Sequence, residues 1–475
     1  MSAPEGPLVI GVDSSTQSTK ALVVDSATGT VVARGQAPHT VTAGAGRESD
    51  PEEWWAALEQ ALRQCGGAVG EASAVSVAGQ QHGLVALDRD GRPVRPALLW
   101  NDVRSAPQSD ALVEELGGRE WWAERTGSVP PAAYTVTKWA WLRENEPEAA
   151  AATAAVRLPH DYLTERLTGL ATTDRGDASG TGWWASADQS YDTRVLDHIG
   201  LSPALLPRVV SPGEAAGTVR AELPLPAGAL VAAGTGDNMA AALGLGLRPG
   251  QPVLSLGTSG TVYAVSARRP VDASGTVSGF ADARGDWLPL ACTLNCTLAV
   301  DKVAALLGLD REAVEDGGEL ALLPFLDGER TPNLPYASGL LTGLRHDTTG
   351  GQLLRAAYEG AVFALLRALE EVLDGDAPAD APLLLIGGGA KGTAWRETVR
   401  RLSGRPVQVP RADELVALGA AAQAAGLLLE EDPAAVARGW GTADGPAYEP
   451  VARDDATVER IARTLGDAGE LLRRH

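Results

Sequence analysis

Cysteine is scarce in this 475-residue chain, with only Cys65, Cys292 and Cys296. An odd count without paired metal-ligand spacing excludes a disulfide scaffold and a zinc ribbon. Cys292 and Cys296, four apart, read as two small thiols, and a reducing cytoplasm suits them. Histidine is also rare, at positions 39, 82, 160, 198, 346 and 475, and none has metal-ligand spacing. Lysine is confined to Lys20, Lys138, Lys302 and Lys391, against 36 arginines. No apolar run reaches membrane-spanning length. No basic segment precedes an apolar stretch near Met1, so no secretory signal is visible. Positive charge is in deficit: the formal net charge is −21 and the pI about 4.7. Without a broad basic field, nucleic acid is excluded as the main partner. An anionic ligand would need local donors, a helix N-terminus or a divalent metal to offset that field. The expectation is a cytoplasmic protein with neither membrane nor nucleic-acid partner; a homodimer is one assembly the sequence allows.

What is present is a chain long enough for two domains, 44% apolar and 21% charged. Leu8–Val12 reads as a strand, Asp13–Thr19 as a turn and Lys20–Asp25 as a second strand. Residues 51–64 read as a helix with Asp50 as N-cap, Pro51 first and Glu52 and Glu53 in the first turn. A strand over 74–78 follows, ending in Gly79-Gln80-Gln81-His82-Gly83. Strands alternating with helices imply an α/β fold. The second half repeats the opening layout: strand Pro252–Leu256, a Gly/Ser/Thr turn, strand Thr261–Ser266. Two related domains facing one ligand are expected, 1–248 and 249–475. Late in the chain, Leu383–Ile386 runs into the turn Gly387–Gly392, and Trp395–Leu402 reads as a helix.

Two turns in Leu230–Gly260 carry the chemistry. Gly234-Thr235-Gly236-Asp237-Asn238 puts a carboxylate and an amide where an Ala-rich helix starts. Asp237 is a candidate general base and equally a candidate N-cap. Leu256-Gly257-Thr258-Ser259-Gly260 is a tight turn of glycines and hydroxyls suited to phosphate. A proton-accepting carboxylate near a phosphate loop is what phosphoryl transfer to a hydroxyl needs. In the first half, Asp13 leads Ser14-Ser15-Thr16-Gln17-Ser18-Thr19-Lys20. This turn could cradle phosphate and a partly hydrated Mg²⁺ on Asp13, or be a polar hairpin with Asp13 as a local cap. It is not a Walker A loop. His82 sits in a Gly-flanked turn after a strand, where α/β sheets place ligand contacts. Trp100-Asn101-Asp102 combines an aromatic face with an amide and a carboxylate, which suits a polyol; a buried Trp at a strand end is the plainer reading.

In this combination the chain resembles the FGGY carbohydrate kinases along essentially its whole length. Asp13–Lys20 resembles the first phosphate loop, with Ser15 where many members have Gly. Gly79–Gly83 and Trp100–Asp102 resemble the sugar segments of members that phosphorylate xylulose. Thr135–Asn145 and Gly339–Glu359 resemble the two family signatures, Ala133 departing from the first. Leu158–Leu163 resembles a segment that often has Lys at the position of His160. Leu326–Pro332 and Gly387–Ala390 resemble the remaining landmarks.

The resemblance implies the actin-like ATPase fold, two ribonuclease-H-like domains around a central cleft. It implies ATP-dependent phosphorylation of D-xylulose at O5, with Asp237 as catalytic base and Asp13 as the catalytic, Mg²⁺-linked carboxylate. Gln81 (through its backbone), His82, Trp100, Asn101, Asp102, Asp237 and Asn238 would contact the sugar. Ser15, Thr16, Gln17, Lys20, Gly257, Thr258, Gly388, Gly389 and Ala390 would contact ATP. Three alternatives stay open: another sugar of the family (ribulose, gluconate or a rarer ketose), a nucleotide-binding module without sugar chemistry, and a dinucleotide oxidoreductase. Gly234-x-Gly236 suggests the last, but Met239 breaks its fingerprint.

Overall fold

The computed structural model describes residues 4–42, 46–221, 223–374 and 381–473. Two seven-stranded mixed sheets organise it. In the first, Leu8–Ser14 is central. It runs antiparallel to Ser18–Asp25, which pairs with Val31–Pro38, and parallel to Ala72–Gly79. Leu230–Ala232 and Thr235–Gly236 join Ala72–Gly79 in parallel, and Ala215–Thr218 closes that edge antiparallel. The second sheet repeats the scheme. Pro252–Leu256 is antiparallel to Gly260–Ala264 and parallel to Leu383–Ile386, with Trp287–Thr293 and Ser278–Ala281 continuing beyond the hairpin.

The opening hairpin is longer than its residue types imply. Its ladder runs on to Ser14 opposite Thr19, whose hydroxyls lie 3.1 Å apart. Asp13 therefore lies within the ladder, opposite Lys20 and one residue from the strand end, and the turn shrinks to Ser15–Gln17. Helix Pro51–Gln64 forms as expected, Asp50 accepting from the Glu52 N–H. Its Trp54, Leu58 and Leu62 bury against Ile10, Val12 and Val23 on one face of the sheet.

The opposite face is covered from far away in sequence. Helix Leu415–Leu429 lays Ala417, Ala421 and Ala424 on Val9, Leu22 and Ala74. The approach is close enough that a Cβ at Gly11 would sit 1.9 Å from the Ala417 carbonyl oxygen. The second sheet packs its own core around the 24-residue helix Gly350–Leu373.

Parallel strands place their C-terminal ends together. Ala78 pairs with Asp13 on one side and Thr235 on the other. Asp13, the Gln80–Gly83 turn and Asp237 thus leave the first sheet at one end, where open α/β sheets bind ligands. In the second sheet the Gly257–Gly260 turn and Gly387 leave in the same way. Gly387 has φ +83, and a Cβ there would meet the Leu256 carbonyl at 2.9 Å. Only glycine fits so close a passage.

Candidate active site

Asp237 opens helix Asp237–Gly244, and Gly236 takes the cap position without a side-chain bond. Asp237 is therefore the first helical residue rather than the N-cap. Its carboxylate folds one residue forward instead, accepting from Asn238 N at 2.8 Å and Asn238 Nδ2 at 2.9 Å. Burial pushes its pKa up to about 7, reinforced by the negative charges of Asp13 and Asp177 and only partly offset by backbone N–H donors. A carboxylate titrating near neutrality is suited to general-base work. Buried Tyr263 of the second sheet lies within range of this charge, which with burial raises its own pKa.

Asn238 is held from its far side, its Nδ2 donating to Gln81 Oε1 at 3.1 Å. The Gln81 side chain thus braces Asn238, a role separate from the backbone contact to sugar that the resemblance implies.

His82 is fixed in a left-handed backbone conformation, φ +65. Its Nδ1 lies 2.8 Å from the Gly180 carbonyl oxygen and must donate to it, which leaves Nε2 as an acceptor. The ring stacks on Tyr134 at 4.7 Å and leans on Phe280 at 5.6 Å. Burial lowers its pKa to about 3, with the nearby Lys138 and Arg330 charges acting the same way. His82 is a neutral ring aimed by its neighbours. Nothing in the local sequence signals Tyr134, Phe280 or the Gly180 carbonyl, which come from three distant segments.

Asp13 is buried beside the same cleft. Its pKa is raised to about 6 by burial, against the pull of Lys20 and with a push from Glu414. Asp13 Oδ1 has no protein partner. An orphaned carboxylate oxygen at a strand end suits a hard cation that keeps most of its water. Among the described residues no group of three or more His, Cys, Asp or Glu is arranged to hold a metal ion, so protein would supply at most two such ligands.

Lys20 Nζ lies 3.9 Å from Asp13 but 2.6 Å from Glu414 Oε2, a partner the sequence did not suggest. In the loop between, Ser15 Oγ donates to the Ser18 carbonyl and the Gln17 carbonyl accepts from His39 N. Thr16 Oγ1 accepts from Trp100 Nε1 at 3.1 Å, which ties the phosphate-loop candidate to the sugar-segment candidate. Asn101 Oδ1 has no partner. Asp102 is engaged differently: its oxygens accept from Arg47 N and from Arg104 N, Nε and Nη2. Burial pushes that carboxyl up, but these donors outweigh it and hold it below its usual pKa. Its acceptor capacity is largely taken.

The second-half candidates gather at the end of the other sheet. The Gly257 carbonyl accepts from Thr297 N and Oγ1, and exposed Thr258 follows it. Gly388, Gly389 and Ala390 begin the short turn Gly388–Lys391. A Cβ at Gly388 would meet open space, whereas one at Gly389 would sit 2.8 Å from Leu256 Cβ. The structure thus forms two groups. Asp13, Gln81, His82, Asp237 and Asn238 cluster on the first sheet, with Trp100 joined to them through Thr16. Gly257, Thr258 and Gly388–Ala390 cluster on the second. A cavity of about 560 Å³ beside Pro249, Arg268 and Asp374 shares no residue with either.

Two α/β halves, each presenting a polar turn at the end of its central strand, define a sugar-kinase type of site on an actin-like fold. The chain belongs to the FGGY family of carbohydrate kinases: that family's N-terminal domain matches residues 8–244 and its C-terminal domain residues 253–427. It is 76% identical to a xylulose kinase of Streptomyces rubiginosus, over all of this chain and 99% of that one. It is 74% identical, with the same coverage, to a xylulose kinase of Streptomyces coelicolor. The crystal structure of a xylulose kinase from Bifidobacterium adolescentis superposes with TM-score 0.86 at 39% identity, covering 97% of this chain and 99% of that one.

Proposed function

We propose that the chain transfers the terminal phosphoryl group of ATP to O5 of D-xylulose. The observation that carries the reading is Asp237, a carboxylate raised to about 7 and hydrogen-bonded to Asn238 at the sheet end that also bears neutral His82, in a chain so similar to xylulose kinases over its full length. In this reading His82 Nε2 accepts from one sugar hydroxyl and Asn238 orients another. Asp237 takes the O5 proton as the bond to phosphorus forms. Trp100 and Asn101 flank the sugar, and Asp102 keeps their loop in place through Arg104 and Arg47.

Ser15, Thr16, Gln17, Lys20, Gly257 and Thr258 would face the phosphates, and Gly388–Ala390 the adenosine. Asp13 would hold Mg²⁺, which when bound neutralises charge on the phosphates. The lobes are taken as 1–248 and 249–475, divided between helix Asp237–Gly244 and strand Pro252–Leu256. Three free thiols fit a cytoplasmic setting. Among the described residues no helix is long and apolar enough to cross a membrane.

Sugar-dependent ADP release decides it, measured with D-xylulose, L-xylulose, D-ribulose and glycerol. D-xylulose should give the highest kcat/KM. A larger value with another sugar, or ADP release indifferent to sugar, would refute the assignment.

A further inference from the structure

His160 is fully buried, and three carboxylates surround it. Its Nδ1 lies 2.7 Å from Asp177 Oδ2, and its Nε2 lies 3.4 Å from Asp161 Oδ1 and 3.8 Å from Asp174 Oδ1. All three aspartates are buried too. Other groups reach them from the neighbouring elements, among them two arginines. Buried Arg175 acts on Asp174 from the next position, while its Nη1 donates to the Asp286 carbonyl and pairs with Asp282 at 3.7 Å. Thr235 Oγ1 donates to Asp174, Leu158 N and Thr173 face Asp161, and Gln81 faces Asp177. Arg157 lies near Asp161 but is hydrogen-bonded to Glu165, and Tyr191 is a neutral neighbour.

Buried carboxylates require a compensating charge. Burial alone would lower the affinity of His160 for a proton, yet the three aspartates raise its pKa to about 10.

The acids around His160 also hold the sugar-site turns. Asp174 Oδ2 accepts from Thr235 Oγ1 at 2.7 Å, two residues before Asp237. Asp177 faces Gln81, the brace of Asn238. Gly180, just past the short helix Arg175–Ser179, supplies the carbonyl that fixes His82. His160 itself lies against both turns, its ring at Gly234 and its Cβ and backbone at Gly79. A Cβ at Gly234 would sit 2.6 Å from His160 Cδ2, and one at Gly79 3.1 Å from His160 Cβ.

We propose that His160 is a positioning residue of the sugar site: as a buried cation it binds Asp161, Asp174 and Asp177 into one platform, from which the turns bearing His82 and Asp237 are held. It touches no substrate. Its charge keeps three acids close enough to serve both turns at once.

Two measurements test this, and only the second rests on the xylulose reading. In the first, the full chain is labelled with ¹⁵N-histidine, and the His160→Lys spectrum assigns the His160 signal. Both ring nitrogens should carry protons at pH 8. A neutral ring overturns the proposal whatever the enzyme turns over. In the second, steady-state kinetics compare His160→Gln, which keeps a donor without charge, with His160→Lys, which keeps a charge. His160→Gln should raise the KM for D-xylulose about tenfold and lower kcat, leaving the KM for ATP within about twofold. His160→Lys should stay near the parent. A Gln variant with parent-like kinetics, or a Lys variant as damaged as Gln or not folded, overturns the proposal. If His160→Gln is not recovered folded, parent-like kinetics in His160→Lys sustain it. A parent without xylulose turnover would sink the functional reading, and the ring protonation would still decide the charge.

Discussion

Replacing Asp237 by Asn separates its chemistry from its geometry. The amide oxygen can still accept from Asn238 N, so the start of helix Asp237–Gly244 should hold. What disappears is the proton acceptor. Losing a general base costs on the order of 10² to 10⁴ in kcat, about 2.7–5.5 kcal/mol in the barrier. D-xylulose and ATP should still bind. The parent kcat/KM should fall as pH drops through about 7, where Asp237 takes up its proton. The residual activity of the Asn variant should lack that limb. Stability should move the other way. An acid whose folded pKa lies above its unfolded value favours the folded state only when protonated. The cost of ionising it in place therefore grows from pH 3.8 up to about 7 and stays above that. The Asn variant escapes this cost, so its Tm relative to the parent should rise between pH 5 and pH 8. A variant keeping more than half the parent kcat would refute the role of Asp237 as base. A Tm difference independent of pH would refute the electrostatic account of its raised pKa.

Asp13→Ala removes the carboxylate with the orphaned oxygen, so turnover at limiting Mg²⁺ should collapse while D-xylulose binding, read by calorimetry, survives. Unchanged turnover there would leave Asp13 only a hairpin role. His82→Ala should raise the KM for D-xylulose roughly tenfold and leave the KM for ATP nearly unchanged, the loss of one directed hydrogen bond. The reverse pattern would invert the assignment of the two halves. Because the His82 pKa sits near 3, no step in the parent pH–rate profile between pH 5 and 8 should vanish in that variant. Gly234→Ala puts a methyl group against the Val77 carbonyl and the His160 ring at a residue with φ +75, and should lower stability by about 1–3 kcal/mol in urea unfolding. A neutral result would mean that this turn gives way more easily than its packing implies.

The paired hairpins and the α/β alternation were legible because they depend on local signals. Valine-rich strands, hydroxyl-rich turns and the capped helix at 51–64 each announce themselves within a dozen residues. The cover on the far face of the first sheet was not legible. Helix Leu415–Leu429 is an alanine-rich stretch without amphipathic contrast, and it packs some 400 residues from the strands it covers. The close approach at Gly11, where even a methyl group is too large, and the hydrogen bond from Ser76 Oγ to Gln423 Oε1 tie the two together in the fold.

The site divides along the same line. His82 and Asp237 stand at strand ends marked by glycine and Asp13 at one marked by hydroxyls, so position and chemistry coincide in the sequence. Residues that set their properties do not stand there. Asp237 reaches a pKa near 7 because the fold buries it and brings up the charges of Asp13 and Asp177, both far upstream in the chain. His82 is neutral and aimed because Gly180, Tyr134 and Phe280 converge on it from three segments. Asp102 shows the converse. Its residue type fits a polyol, yet Arg104, two residues on, and the Arg47 backbone take up its oxygens, a pairing that geometry alone reveals. His160 reads in sequence as a departure from the usual lysine, and three aspartates close around it only when the chain is folded. A charge at that position is the property lysine and a protonated histidine share, which is why the buried acids, rather than the residue type, define what the position must supply.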